Sequence, residues 1–351
     1  MGRVRDGGHV LVVRQDNDGD VLLAGPAVRA VAARAGRVTL LAGPRGRQAA
    51  AALPGVDHVE VLAAPWIDPE PAPVTAAGME AAVSRLAALA PDAAIILTSY
   101  HQSPLPLALL LRVAGVPWIG AISDDYPGSL LDLRHRVPDD VHEVERALSL
   151  VTAAGFPPAP GDTALRVRRG GGAPAGLPPG YVVVHPGASV PARAWPATHH
   201  AALVEAVTGA GVPVVVTGGP GETALTARVA AAGASGRVMD LGGLTDFAGL
   251  AEVLAGARAV VVGNTGPAHL AAAVGTPVVW LHAPTVPEVR WHPWRVPYVR
   301  LANDTPCAGC RARMCPVPAH PCLSAVPPAA AAEALGRLAG VPVPAEVACA
   351  S

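Results

Sequence analysis

Short, uninterrupted apolar runs rich in Val and Ile alternate along the chain with Ala- and Leu-rich stretches of helical period, and the whole alternation occurs twice. A strand that is apolar at every residue must be buried on both faces, and helix-length connections bring successive strands in parallel. That pattern confines the chain to α/β folds whose parallel sheets are covered by helices. In the first half, strands are expected at residues 9–13, 38–41, 59–62, 94–98 and 118–122, with helices at 21–34, 48–53, 78–89, 105–114 and 142–153. In the second, strands are expected at 181–185, 212–217, 238–241, 259–262 and 278–281, with helices at 197–210, 223–232, 246–256 and 267–274. Between the halves, Pro157, Pro158, Pro160, Gly170, Gly171, Gly172, Pro178 and Pro179 leave no room for a long regular element. The organisation expected is an N-terminal domain over 1–156, a Pro/Gly-rich linker over 157–180, a C-terminal domain over 181–325, and a helix and tail over 326–351. Two doubly wound domains facing each other leave a cleft at the carboxyl ends of their sheets, where open α/β sheets bind ligands. A single large sheet is the alternative.

Composition narrows the function. The 26 basic side chains, all Arg, are balanced by 27 acidic ones, so the chain lacks the positive excess that drives nucleic-acid binding. No stretch approaches the roughly 18 apolar residues of a spanning helix, and residues 1–8 are too polar for a secretory leader. A cytoplasmic protein is expected.

The loops at strand ends carry the polar chemistry. Residues 14–20, Arg-Gln-Asp-Asn-Asp-Gly-Asp, follow the first strand, with a helix expected from about Val21. Asp20 fits both an N-cap or first-turn carboxylate and a general base aimed into the cleft, with Gly19 allowing a tight turn. The loop fails as an EF-hand, since a count from Asp16 puts Val21 and Ala27 where Gly and Glu are required. Its Asp-x-Asp pairs find no further acidic neighbour in sequence to complete a divalent site. In the second half, the loop Pro186-Gly187-Ala188-Ser189-Val190-Pro191-Ala192-Arg193 offers small residues for backbone approach to an anion and a guanidinium for a phosphate. Thr217-Gly218-Gly219-Pro220-Gly221-Glu222 adds a carboxylate suited to ribose hydroxyls. Asn264-Thr265-Gly266-Pro267-Ala268-His269 opens a helix, with Pro267 in its first turn, outward amides around 265–268 and His269 one turn in. Together these loops point to a diphosphate ligand.

Three spaced motifs resemble glycosyltransferase family 9, the ADP-heptose:lipopolysaccharide heptosyltransferases and their relatives, over about residues 9–323. They are Arg14…Gly19-Asp20-Val21…Pro26, Gly187-Ala188…Arg193-Ala194-Trp195-Pro196, and Asn264-Thr265-Gly266-Pro267-Ala268-His269-Leu270-Ala271-Ala272. The resemblance implies a GT-B fold of two Rossmann-like domains and inverting, metal-independent transfer from a nucleotide-diphospho-sugar, with no cofactor required for catalysis. By the same resemblance, Asp20 is the base. Ser189, Arg193, Thr265, Gly266 and His269 contact the diphosphate, Asn264 lies near the donor sugar, Glu222 holds the ribose, and Leu244 and Thr245 lie against the adenine. Arg193 stands where the family usually has Lys, and Asn264 where it has Asp, which puts the identity of the sugar in question; heptose or a related hexose leads. The acceptor, a glycan, glycolipid or natural product, is expected on the first domain at Tyr100, His101, Asp124 and Arg134.

Four of the five cysteines crowd together as Cys307-x2-Cys310-x4-Cys315-x6-Cys322, with His320 nearby; Cys349 lies in the tail. Four thiolates at this spacing can hold a structural zinc ion, and free thiols in a packing role are the alternative. Two other functions fit a GT-B shape: a nucleotide-sugar 2-epimerase, which needs no acceptor, and a non-catalytic nucleotide-sugar-binding protein. A dinucleotide oxidoreductase fits poorly, because residues 14–20 lack Gly-x-Gly-x-x-Gly.

Overall fold

A computed structural model describes residues 7–68 and 70–341, so Cys349 and the end of the tail lie outside the described residues. The chain divides into two compact units, Met1–Arg168 and Arg169–Ser351. The first unit runs β1 (His9–Arg14), α1 (Asp18–Ala32), β2 (Arg37–Ala42), α2 (Arg47–Ala52), β3 (His58–Val61), α3 (Ala76–Leu89), β4 (Ala93–Ile96), α4 (Leu105–Val113), β5 (Ile119–Ile122), β6 (Leu133–His135) and α5 (Glu143–Ala153). Its strands lie in the order β3-β2-β1-β4-β5-β6, every pairing parallel. The second unit runs β7 (Val182–His185), α6 (Ala197–Gly209), β8 (Val214–Val216), α7 (Thr223–Ala230), β9 (Val238–Asp240), α8 (Phe247–Gly256), β10 (Val260–Gly263), α9 (Gly266–Val274), β11 (Val278–Leu281), α10 (Glu288–Trp291), β12 (Tyr298–Leu301), α11 (Pro321–Ser324) and α12 (Pro328–Ala339). Its order, β12-β11-β10-β7-β8-β9, is the same winding, again all parallel. Each sheet therefore reverses direction beside its own first strand, between β1 and β4 and between β7 and β10. That is the position at which doubly wound sheets open a ligand crevice.

The all-apolar strands behave as expected. In the first unit, Leu11, Val13, Leu41 and Ile96 pack with Leu86 of α3 and Leu107 and Leu111 of α4. In the second, Val184, Val216, Val261 and Val279 meet Leu203 and Val207 of α6 and Leu335 of α12. Fully burying each such side chain contributes about 1.5–3 kcal/mol, so the central strands are the fixed frame from which the loops project. The edge strands β6 and β12 are absent from the sequence pattern, because Leu-Arg-His and Tyr-Val-Arg-Leu are only partly buried and carry charge on an edge.

Residues 154–181 contain no helix or strand, yet much of this stretch is tied down. Arg29 binds Asp162 at 2.9 Å and the Ala164 carbonyl at 2.6 Å, and Arg168 donates to the carbonyls of Leu53 and Val56, all within the first unit. Arg169 pairs with Glu252 at 2.6 Å within the second. Among the described residues, no helix is long and apolar enough to cross a membrane.

Candidate active site at two carboxyl edges

In the second unit, the loops after β7, β8 and β9 touch in turn, and the loop after β7 also meets the end of β10. Two contacts through glycines show how closely. A Cβ built on Gly187 would lie 2.2 Å from Glu222 Oε1, so the Glu222 carboxylate occupies space that only glycine leaves. A Cβ on Gly263, the last residue of β10, would lie 3.2 Å from the Arg193 carbonyl oxygen, so the loop after β7 rests on the end of β10. Glu222 Oε2 accepts from the Gly219 amide at 2.7 Å, and Gly243 N–H donates to the Gly218 carbonyl at 2.9 Å, joining the loops after β8 and β9. His185 at the end of β7 is bonded to Thr217 Oγ1 at 2.9 Å; burial holds its imidazole below the usual range, against the pull of Glu222. Backbone approach and fixed side chains thus converge on one edge of one sheet.

The expected donor residues distribute around this edge. Ser189 is exposed, and Arg193 ends a short 3-10 turn, Pro191–Arg193, partly buried. The Arg193 charge reaches His282 at the end of β11, whose imidazole is held down to about 4 by burial, with Arg300 and Arg193 adding to the effect. Leu244 stands 73% exposed at the lip of the edge, with Thr245 partly buried beside it. Helix α9 begins behind Thr265, which caps it without a side-chain hydrogen bond, and His269 is buried one turn in. The expected fan of outward amides is narrower than the sequence suggested. Thr265 N–H donates to the Gly263 carbonyl at 2.9 Å and Ala268 N–H to the Thr265 carbonyl at 3.0 Å, because the turn closes on itself. Pro267 has no N–H to offer.

Asn264 is a structural clamp. Its Oδ1 accepts from Ala283 N–H at 3.2 Å and its Nδ2 donates to the Ala283 carbonyl at 3.3 Å, binding the end of β10 to the second residue beyond β11. An aspartate cannot make the second of these bonds.

In the first unit, the chemistry gathers on Arg14, the last residue of β1. Its Nε lies 2.8 Å from Asp16 Oδ2, its Nη2 lies 3.1 Å from Asp20 Oδ1 and donates to Ser99 Oγ at 2.9 Å, and its Nη1 lies 3.3 Å from Glu143 Oε2. Gln102 donates to Asp16 Oδ1 at 2.6 Å. The Arg14 and Glu143 side chains are 3% and 1% exposed, whereas Asp20 retains 21%. Burial works against the Arg14 charge, but Asp16, Asp20 and Glu143 more than offset it and raise its pKa. Ser99 and Gln102 follow β4, so the cluster sits at the reversal point of the sheet.

Three expectations about this loop are corrected. The helix starts at Asp18 behind Asn17, earlier than the expected Val21, which makes Asp20 the first-turn carboxylate that was one of its two expected places, and Gly19 lies within the helix, where it makes no sharp turn. The acidic group does gain a partner, Glu143, from 129 residues away. The result is an ion-pair network around a guanidinium. Asp18 meanwhile accepts from the Ala49 amide at 3.0 Å.

The expected acceptor residues lie on the same edge of this sheet. Tyr100 and His101 follow β4, their rings 5.4 Å apart edge to face. Asp124 is exposed after β5, and Arg134 braces that loop, its Nε donating to the Ser123 carbonyl at 3.1 Å and its Nη2 to the Asp124 carbonyl. Arg134 is thus partly committed to structure. Glu143 is the member sequence reasoning passed over; no local spacing marks it, and it reads as an ordinary helix start.

Cys307, Cys310, Cys315, Cys322 and His320 line one cavity of about 30 Å³. Burial pushes the Cys322 thiol up, and the other three thiols add to the effect. Among the described residues, however, no three His, Cys, Asp or Glu side chains are arranged to hold a metal ion. Cys307 and Cys310 are exposed, while Cys322 is anchored in the core at the start of α11.

The chain is similar to curated enzymes over part of their length. It is 35% identical over 178 residues to lipopolysaccharide heptosyltransferase 1 of Pseudomonas aeruginosa, covering 50% of this chain and 48% of that one. It is 31% identical over 122 residues to lipopolysaccharide heptosyltransferase 3 of Escherichia coli, covering 34% and 36%. The chain thus matches about half or less of the length of these relatives. The fold extends further. ADP-heptose lipopolysaccharide heptosyltransferase II of E. coli superposes with a TM-score of 0.74 over 94% of this chain and 98% of that one, at 20% identity. A family 9 glycosyl transferase of Veillonella parvula does so with a TM-score of 0.75 over 95% and 98%, at 17%. The model of glycosyltransferase family 9 (heptosyltransferase) matches residues 84–320, about two thirds of the sequence, and the chain belongs to that family.

Proposed function

We propose that the protein is an inverting, metal-independent glycosyltransferase of the cytoplasm that moves a sugar from a nucleotide-diphospho-sugar to an acceptor hydroxyl. The donor proposed is ADP-linked, carrying heptose or a related hexose, as the names of the relatives suggest. The observation that carries this is the convergence of the loops after β7, β8 and β9 with the end of β10 at the carboxyl edge of the second unit, with Arg193, the start of α9 and His269 around it. Such a set suits a diphosphate: a guanidinium for bidentate pairing, a helix N-terminus and an imidazole donor.

The reaction follows from these parts. Asp20 takes the proton of the acceptor hydroxyl as its oxygen bonds to the anomeric carbon. The bond from that carbon to the diphosphate breaks, and the leaving group departs with the electron pair. Arg193, the α9 terminus and His269 neutralise the charge that develops on it. Metal independence is supported by how the acidic loop is spent, with Asp16 and Asp20 on Arg14 and Asp18 on a backbone amide. The clamp made by Asn264 also argues against the non-catalytic alternative, since the residue has work unrelated to decay of a donor site.

The test is calorimetry with ADP-, GDP-, UDP- and TDP-sugars, followed by transfer assays with the best binder. Asp20→Ala should abolish transfer and leave donor affinity nearly intact, and EDTA should leave activity unchanged. Turnover of Asp20→Ala within tenfold of the parent removes Asp20 from its role.

A further inference from the structure

Three carboxylates lie within 3.3 Å of one guanidinium, in a site where Arg14, Asp16 and Glu143 side chains are 3%, 9% and 1% exposed. Buried like charges this close cannot all stay ionised at equal cost, and protons come off such groups as a set. Asp16 and Asp20 divide the two ends of the same guanidinium, Nε and Nη2. Whatever changes the charge of one is felt by the other through a rigid, planar, permanently charged group.

We propose that Asp16 is a positioning residue of the transfer reaction: through the guanidinium it shares with Asp20, its charge state governs how strongly Asp20 draws the acceptor's proton. The proposal rests on the reading of Asp20 as the base. With Asp16 neutral, the Arg14 guanidinium is drawn less toward its Nε side and holds Asp20 more tightly. With Asp16 ionised, Arg14 is drawn on its Nε side and a second negative charge stands beside Asp20, so the incoming proton is better stabilised there.

The surroundings fit this role. Asp16 is pushed up to about 6, by burial first, against the pull of Arg14 and the Gln102 hydrogen bond, with Asp20 and Glu143 adding to the rise. Across a cavity of about 50 Å³ beside it stand Arg45 and Asp68, themselves 3.8 Å apart. That space is enough for a water molecule, giving Asp16 a route for proton exchange.

The experiment is the pH dependence of kcat and donor KM in the full-length protein, paired with carboxyl-carbon NMR of aspartate-labelled protein. The wild type should gain activity with an acid limb near pH 6, in kcat and not in KM, and one aspartate should titrate there. Asp16→Asn should remove both, leaving a flatter profile and a plateau about tenfold lower. Gln102→Leu, which deletes the bond holding Asp16 down, should move the limb and the NMR titration to higher pH. An Asp16→Asn enzyme that keeps the wild-type limb overturns the proposal, as does a Gln102→Leu enzyme whose limb is unmoved. The NMR titration separates the two readings. If Asp20→Asn still turns over while the resonance near pH 6 vanishes in Asp16→Asn, the base assignment has failed and the proton site stands.

Discussion

Replacing Gly187 by Ala should weaken nucleotide binding without unfolding the protein, and the structure says by which route. The added Cβ would lie 2.2 Å from Glu222 Oε1 and 2.3 Å from its Cδ and Oε2. Ordinary contact requires about 3.5 Å or more, so the carboxylate must retreat by an ångström or more. It sits at the end of a flexible, partly exposed side chain, which makes the retreat cheap for the fold. What is lost is the 2.7 Å bond to the Gly219 amide, about 1 kcal/mol once water replaces it. On the reading that Glu222 holds the ribose, binding suffers more, because a charged acceptor to hydroxyls contributes about 1.5–3 kcal/mol. The expected result is a Kd for ADP raised roughly 10- to 100-fold, read by calorimetry, with urea unfolding shifted by no more than about 1 kcal/mol. Glu222→Ala should show the same loss of affinity, and the double variant no further loss, since the Cβ then has room. If Gly187→Ala still weakens binding in the Glu222→Ala background, the methyl group meets the ligand itself and the route through Glu222 is wrong. Unchanged affinity in both single variants removes Glu222 from the site.

Asn264→Asp restores the residue usual in the family but should cost stability. It trades the bond to the Ala283 carbonyl for a buried carboxylate facing that oxygen, about 1–3 kcal/mol in urea unfolding; equal or greater stability refutes the clamp. His200 is held down to about 3 by burial, with His185 and His199 adding to it, against 6.5 when unfolded. The unfolded chain therefore binds the proton first, and stability present above pH 6.5 is lost as pH falls toward 3, by up to about 1.4 kcal/mol per unit. His200→Leu should flatten that slope in denaturation curves between pH 4 and 6.5; an unchanged slope would assign it to other groups. Cys322→Ser should lower the Tm by several degrees through its place in the core, while Cys307→Ser and Cys310→Ser, both exposed, leave it nearly unmoved. Similar losses in all of them, with zinc in the purified protein, would instead show a shared ligand.

What sequence reveals here depends on how local the physics is. Central strands buried on both faces had to be apolar throughout, so runs such as 182–184 and 260–262 announced themselves. A proline in the first turn of α9 and a glycine at φ 86 just past its end set that helix by rules of a few residues' reach. Edge strands obey weaker demands, and β12 carries Arg300 on a half-exposed edge, which no periodicity distinguishes from loop. The functional groups divide in the same way. Gly187 and Glu222 are recognisable as a small residue and a carboxylate at strand ends, but that one exists to admit the other is a contact across 35 residues. Glu143 lies further still, and its meeting with Arg14 follows from the winding of the sheet, which returns α5 against α1. The same winding explains why the polar residues gather where they do. A parallel sheet puts every strand's last residue on one edge, and its reversal of direction spreads two neighbouring loops apart. Arg14 with Ser99 in one unit, and Arg193 against Gly263 in the other, fill those two gaps. The sites are therefore consequences of strand order, and their chemistry is supplied by whichever side chains the loops at that edge carry.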